Sequence, residues 1–343
     1  MIKRIGILTG GGDCPGLNAV IRAVVYKASE YGWEVLGVRY GWKGMLDGDA
    51  VPLTKADVKD ILPLGGTILK TSRTNPYKVE AGEVKVLENA KRMSLDCLVA
   101  VGGEDTLGVA YKLTKAGLKC VGVPKTIDND LGATDYTFGY QTAVQIATDA
   151  MDRLHTTAKS HDRVLVCEVM GRHAGWMTTD AGMAANAHWI FIPEEKGSVE
   201  ECCKMLRERY ARGERYGIIA VAEGAEFSDL DVKLASQTTD AFGHVRLGGI
   251  AETLAKEIEK RTGFETRHVV LGHTQRGGSP IAYDRILATR LGYKAVEMIK
   301  NGQFGMMSSL RGEKIEAVPI EEAVKALKTV PRQYFEVART FFG

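Results

Sequence analysis

Cys120-Val121-Gly122-Val123-Pro124-Lys125-Thr126-Ile127-Asp128-Asn129-Asp130 is the stretch on which the fold turns. Its first four residues form a short apolar run with no polar alternation, as in a strand covered on both faces. Directly behind them stand an ammonium group, a hydroxyl, two carboxylates and an amide. In an open parallel sheet, ligands collect outside the carboxyl ends of the strands. A carboxylate such as Asp128 is suited there to take a proton from a hydroxyl, while a cation steadies a transferring phosphoryl group. Asp and Asn also dominate ordinary turns, so on its own the segment fits a plain turn equally well.

Working outward, the same alternation recurs along the chain. Cys120–Val123, Val164–Val169, Trp189–Ile192, Ile218–Ala222 and His268–Leu271 read as strands. Thr106–Lys115, Thr142–Ala158, Val199–Ala211 and Ile250–Arg261 read as helices. Apolar runs of this length separated by amphipathic helices imply an α/β chain of parallel sheets with helices on both faces. The polar stretch Phe227–His244 has weak periodicity and reads as an irregular excursion or hairpin.

Four further segments carry polar chemistry at strand ends. Thr9-Gly10-Gly11-Gly12-Asp13-Cys14-Pro15-Gly16-Leu17-Asn18 follows the strand-like Arg4–Leu8. Consecutive glycines let backbone N–H groups converge, and the helix expected from about Asn18 to Glu30 adds its positive end, so Gly11 and Gly12 suit a phosphate. No Lys-Ser/Thr follows, which excludes a P-loop, and the glycine spacing does not fit the dinucleotide fingerprint. A tight strand-to-helix turn is the other reading. Val101-Gly102-Gly103-Glu104-Asp105-Thr106 ends a second apolar run, and Glu104 is a hard oxygen ligand suited to Mg²⁺. Val169-Met170-Gly171-Arg172-His173-Ala174-Gly175-Trp176 sits at a third junction. Leu271-Gly272-His273-Thr274-Gln275-Arg276-Gly277-Gly278-Ser279-Pro280, preceded by Arg267, forms a fourth. Arginine's planar fork suits bidentate phosphate binding, although any one of these arginines also fits a solvated surface. Taken together, the acidic loop, the glycine loops and the arginines describe phosphoryl transfer to a phosphorylated small molecule.

Composition narrows the class. The 343 residues suffice for two domains, and 45 Lys plus Arg against 43 Asp plus Glu leave no field that favours nucleic acid or a membrane surface. No apolar run approaches the ~18 residues of a transmembrane helix. Met1-Ile2-Lys3-Arg4 leads into a first strand rather than a signal peptide. The six cysteines (14, 97, 120, 167, 202, 203) show no metal spacing and read as reduced thiols in a cytoplasmic enzyme.

From Ile5 to beyond Ser279, the segments resemble the signature loops of the phosphofructokinase family in order and separation. Thr126-Ile127-Asp128-Asn129-Asp130, Met170-Gly171-Arg172 and Gly272-His273-Thr274-Gln275-Arg276-Gly277-Gly278 carry the resemblance. It implies two similar three-layer α/β domains with largely parallel sheets, each discontinuous in sequence. The implied donor domain spans 1–139 plus 275–325, and the sugar-phosphate domain 140–274 plus 326–343. The implied reaction moves a phosphoryl group to the 1-hydroxyl of fructose 6-phosphate with Mg²⁺. In it Asp128 resembles the base, Arg172 the stabiliser of the moving charge, and Thr126 and Asp130 the groups that orient sugar and metal. Met170, Gly171, Glu223, His273 and Arg276 match sugar-phosphate ligands. Arg163 and Arg267 match arginines that reach the 6-phosphate from a neighbouring subunit, so a homodimer or homotetramer is implied. Gly11, Gly12, Arg73 and Glu104 match the surroundings of the donor phosphates and metal.

Two departures bear on the donor. The ATP-dependent pattern has glycine where this chain has Asp105, and glycine again at Lys125. A carboxylate at 105 crowds and repels the α-phosphate of ATP, and an ammonium at 125 suits the outer phosphate of pyrophosphate. Val109 stands where that pattern has glycine beside the adenine. The resemblance therefore implies pyrophosphate as donor, with ATP the nearest alternative because some ATP users also carry the lysine. A non-catalytic sugar-phosphate sensor is the more distant alternative, but this chain retains Asp128 and Glu104. Arg22 matches a family effector-site arginine, whereas Tyr26 and His155 replace two others, so weak control or none is expected there.

Overall fold

The computed structural model describes residues 2–231 and 249–343. The polar stretch from Phe227 to His244 thus lies outside the described residues from 232 onward. In chain order the strands are β1 (Arg4–Thr9), β2 (Glu34–Val38), β3 (Ala50–Leu53), β4 (Cys97–Gly102), β5 (Cys120–Pro124) and β6 (Val164–Val169). There follow β7 (Trp189–Phe191), β8 (Gly217–Ala222), β9 (Thr266–Val270), β10 (Met306–Arg311) and β11 (Lys314–Pro319).

They form two sheets. The first has the order β11-β10-β5-β4-β1-β2-β3 and the second β7-β8-β6-β9. Every pairing in the second sheet is parallel. The first is parallel from β10 to β2 and is closed at each edge by one antiparallel strand. Those edges, β3 and the β10–β11 hairpin, are absent from the strand expectations. β3 has only four residues and contains Pro52, and β11 carries Lys314 and Glu316 because an edge strand has only part of its surface to bury.

Alternate side chains of the central strands enter different cores. Ile5 and Ile7 of β1 join one cluster, with Cys97, Val99 and Val101 of β4. Leu8 joins another with Leu98 and Ala100. Both faces of the first sheet are therefore covered, which gives three layers. The first of those clusters also holds Leu165, Cys167 and Val169 of β6, and it includes Tyr140, Ala143 and Ala147 of the long helix Tyr140–Ser160. One apolar core thus locks a face of each sheet to the other. The opposite face of the second sheet buries Val164, Val166, Ile219 and Val221 against Leu254 and Ile258. This α/β architecture of largely parallel sheets matches the expected fold class. The expected helix Val199–Ala211 is observed with those bounds, and the others extend by one or two residues at their ends.

Candidate active site

Neighbouring parallel strands end side by side, so their following loops meet. β1, β4 and β5 are consecutive in the first sheet. The Gly10 N–H donates to the Val101 carbonyl at 2.9 Å, and the Lys125 N–H donates to the Gly102 carbonyl at 3.0 Å. These bonds set the glycine loop, the Glu104 loop and the Asp128 loop in one row. In the second sheet β6 and β8 are neighbours. The Glu223 N–H donates to Val169 at 2.9 Å and the Gly224 N–H to Gly171 at 3.2 Å. A Cβ on Gly224 would stand 2.0 Å from the Arg172 carbonyl oxygen, so the close crossing of these two loops requires glycine.

The two sets of loops face one cavity. From the first sheet it is lined by Gly11, Gly12, Arg73, Glu104, Asp105, Lys125, Thr126, Asp128 and Asp130. From the second come Arg172 and Glu223, and Arg276 completes the wall. All twelve are residues singled out in the sequence. Gly103, Thr106 and His173 also line the cavity and had been given no role, although each lies inside a quoted segment.

At the glycine end, the Lys125 ammonium donates to the Gly12 carbonyl at 2.8 Å. A Cβ on Gly12 would come within 2.9 Å of Arg276 Nη1, so the missing side chain leaves room for a second cation. Lys125 is only 3% exposed. Burial pulls its pKa down and the nearby Arg276 acts the same way, opposed by Asp128 and Asp13.

The acid loop is held from behind. The Asp128 N–H donates to Thr126 Oγ1 at 3.1 Å, and Thr137 Oγ1 donates to the Thr126 carbonyl at 2.7 Å. Asn129 adopts φ 52°, a left-handed conformation that Asn tolerates, and its buried Oδ1 accepts the Thr137 N–H at 3.1 Å. This kink turns the carboxylates on either side of Asn129 toward the cavity. Asp128 Oδ1 is buried and has no hydrogen-bond partner, and the same is true of Arg172 Nε and Arg276 Nε. Buried polar atoms left without partners are rare and mark places where a ligand completes the bonding. Burial, the Asp128 charge and then Glu104 raise the Asp130 pKa. Burial and Asp128 raise that of Glu223, against Arg172 and Arg276.

Among the described residues no group of three or more His, Cys, Asp and Glu forms a metal cage. Mg²⁺ does not require one: it binds through one or two carboxylates, with substrate phosphates and water filling the octahedron. Glu104 and Asp130, both on the cavity wall and close enough for their charges to interact, fit that mode.

Other expected site residues lie elsewhere. Arg163 pairs with Glu265 at 2.8 Å, and Arg267 pairs with the same carboxylate at 2.7 Å. Neither lines the cavity, and neither does His273, which is exposed in the turn Gly272–Arg276. Met170 and Gly171 do not line the cavity, and the Met170 N–H donates to Gln275 Oε1 at 3.3 Å. Arg22 lies over the Tyr26 ring, 4.5 Å from guanidinium carbon to ring centroid. His155 Nε2 is bonded to the Ala185 carbonyl at 2.7 Å.

Residues 4–299 match the model of the family described as phosphofructokinase. The chain belongs to the phosphofructokinase family. This phosphofructokinase is 57% identical to the pyrophosphate–fructose 6-phosphate 1-phosphotransferase of Amycolatopsis mediterranei, over 99% of this chain and 100% of that one. It is 50% identical to the ATP-dependent 6-phosphofructokinase 3 of Streptomyces coelicolor, over 96% of each. Among solved structures it superimposes on Pichia pastoris phosphofructokinase in the T-state with a TM-score of 0.84 at 31% identity, covering 99% of this chain and 36% of that one. The pyrophosphate-dependent phosphofructokinase of Marinobacter aquaeolei gives 0.83 at 22% identity, over 98% and 91%, a likeness of fold. No helix among the described residues is long and apolar enough to cross a membrane.

Proposed function

We propose that this phosphofructokinase transfers a phosphoryl group from pyrophosphate to the 1-hydroxyl of fructose 6-phosphate, reversibly. The observation that carries the reading is the unpartnered, buried Asp128 Oδ1 in one cavity with Arg172, Lys125 and Asp105. In the forward direction Asp128 takes the proton of the 1-hydroxyl as its oxygen attacks the near phosphorus of the donor. The new O–P bond forms while the bond to the bridging oxygen breaks, and the electron pair leaves on orthophosphate. Little covalent chemistry falls to the protein in such a step, and catalysis rests on positioning and charge. Arg172 stabilises the charge on the transferring group from the sugar side. Lys125, fixed by the Gly12 carbonyl, holds the leaving phosphate. Glu223 accepts from sugar hydroxyls. Glu104 and Asp130 would hold Mg²⁺, which would supply positive charge to the donor phosphates, and Arg73 lines the same cavity.

Asp105 sets the donor. It lies in the first turn of the helix Glu104–Lys115, which starts at the cavity, where a longer polyphosphate would have to pass. The 57% identity to an enzyme named for pyrophosphate, against 50% to one named for ATP, supports the same choice. The domain division at 1–139 plus 275–325 and 140–274 plus 326–343 belongs to this reading, supported by β10 and β11 lying in the first sheet with β1 to β5. So does a homodimer or homotetramer in the cytoplasm, supported by Arg163 and Arg267 outside the cavity and by six buried free cysteines.

The test is phosphorylation of fructose 6-phosphate with Mg²⁺ and either pyrophosphate or ATP. A higher kcat/KM with pyrophosphate is expected. Preference for ATP overturns the donor assignment, and turnover of neither overturns the reaction.

A further inference from the structure

The helix Ile320–Val324 packs on the helix Glu104–Lys115 of the first sheet, whereas Arg332–Arg339 packs on Trp176–Ala184 and β7 of the second. The chain between them crosses the molecule, and Lys328 is its crossing point. The Lys328 N–H donates to the Asp130 carbonyl at 2.8 Å, and its own carbonyl accepts from Trp176 Nε1 at 2.9 Å. Its ammonium has three protons and three acceptors: Asn129 Oδ1 at 2.9 Å, the Thr134 carbonyl at 3.0 Å and the Asp135 carbonyl at 2.7 Å. The Trp176 ring centroid lies 5.5 Å from the same nitrogen. Two residues on, the Val330 N–H donates to Glu194 Oε1 at 2.8 Å, and that oxygen also accepts the Gly175 N–H at 2.9 Å.

Lys328 therefore grips the far side of the left-handed Asn129 that aims Asp128 and Asp130. It simultaneously holds the start of the helix that follows Gly171-Arg172-His173. A residue that only filled space would not match three acceptors with three donors while bonding through both backbone groups. We propose that Lys328 is a positioning residue that keeps the Asp128 loop in register with the Arg172 loop across the cleft. The two loops belong to different sheets, and Lys328 bonds directly to one and to the helix that follows the other. A misplacement of about 1 Å between reacting groups is enough to cost roughly 10²-fold in rate.

The proposal rests on the assignment of Asp128 and Arg172 as the reacting pair, so its test pairs kinetics with a readout independent of turnover. Lys328→Met keeps most of the stem and removes the ammonium. With whichever donor the wild type turns over, kcat is expected to fall ~10–100-fold while both KM values stay within about threefold. Hydrogen exchange of the full chain should accelerate in peptides covering both 126–137 and 172–180, with the remaining core unchanged. Wild-type exchange in either loop, or an unchanged kcat, overturns the proposal. If Lys328→Met does not fold, Trp176→Phe decides, since it removes the donor to the Lys328 carbonyl and keeps an aromatic ring at the position. A lowered kcat with faster exchange at 126–137 supports the strap, and wild-type values of either refute it. A wild type that uses neither donor would sink the proposed reaction, while the exchange data would still decide Lys328.

Discussion

The donor end and the sugar-phosphate end of the cleft are built differently. At the donor end every expected group lines one cavity within the chain: Gly11, Gly12, Arg73, Glu104, Asp105 and Lys125. At the other end Arg163 and Arg267 share Glu265 away from the cavity, and His273 stands exposed. The adjacent parallel strands β1, β4 and β5 supply all of the first set except Arg73, whereas Arg163 precedes β6, Arg267 lies in β9 and His273 in the turn after it. The difference teaches that donor chemistry can be completed by one fold unit. On the proposed reading, the acceptor's phosphate draws on groups that this chain does not bring together by itself, which predicts a site shared between copies.

Asp128 stands where the two ends meet, and changing it should give the largest effect. Asp128→Asn removes proton acceptance while leaving the loop bonded through its backbone N–H. Turnover should fall ~10²–10⁴-fold with sugar-phosphate affinity nearly intact, as measured by steady-state kinetics and equilibrium binding. Near-normal turnover would remove the base from the common centre of both ends.

The next effect sharpens the self-contained donor end. Asp105→Gly should raise kcat/KM for ATP and lower it for pyrophosphate, because it removes charge and bulk beside the donor path. Lys125→Met should weaken pyrophosphate by ~10–100-fold, the equivalent of about 1.5–3 kcal/mol for a lost charge-assisted contact. The ATP gain from Asp105→Gly alone should be modest if Val109, which by resemblance stands beside the adenine and here is buried in the core with Leu107 and Ala110, limits the base. Specificity constants for both donors, at fixed Mg²⁺, measure the pair. An unchanged donor ratio in Asp105→Gly refutes the two-residue account.

How far the sequence reaches follows the same division. The donor end was legible because its groups, Arg73 apart, sit within a few residues of strand ends, and strand order in a parallel sheet brings such ends together whatever the loops do. Thr106 and His173 were written inside quoted segments, yet nothing in their spacing says which way a side chain after a glycine points. Lys328 carried no signal at all. It lies in a connection between two short helices, and its partners Asn129, Thr134 and Asp135 are some two hundred residues earlier in the chain. The antiparallel edges escape a sequence reading because β3 is only four residues with a proline inside it and β11 is interrupted by Lys314 and Glu316. Arg163 and Arg267 could be named as phosphate ligands by resemblance, but their common partner Glu265 is visible only once β6 and β9 pair.

A third prediction tests whether the sugar-phosphate end is shared. Arg163→Ala and Arg267→Ala should each raise the KM for fructose 6-phosphate ~10-fold or more, with kcat less affected. Mixing Arg163→Ala chains with Asp128→Ala chains, then unfolding and refolding them together, should return the fructose 6-phosphate KM of the active sites toward the wild-type value. In such hybrids one copy supplies the base and the other the arginine to the same site. A stable monomer with full activity at low concentration would break the comparison, since both ends would then be complete in one chain.

The smallest expected effect concerns Glu265. Its carboxylate holds both arginines in this structure, and Arg163 lowers its pKa, so it is ionised at neutral pH and competes with a phosphate for the same guanidinium groups. The competition is weak. Glu265 and Arg267 are well exposed, with side-chain exposures of 40% and 55%, and exposed ion pairs contribute little. Glu265→Gln should therefore shift the sugar-phosphate KM by less than about fivefold, in the direction of tighter binding, and leave both donor constants unchanged. The sign separates two roles. If Glu265 merely parks the arginines, its removal frees them and affinity rises. If it instead aims them at a neighbouring copy, affinity falls and the assembled form dissociates at higher protein concentration than the wild type. Titration of the fructose 6-phosphate KM together with sedimentation of the same variant distinguishes the two, and a change confined to the donor constants would contradict both.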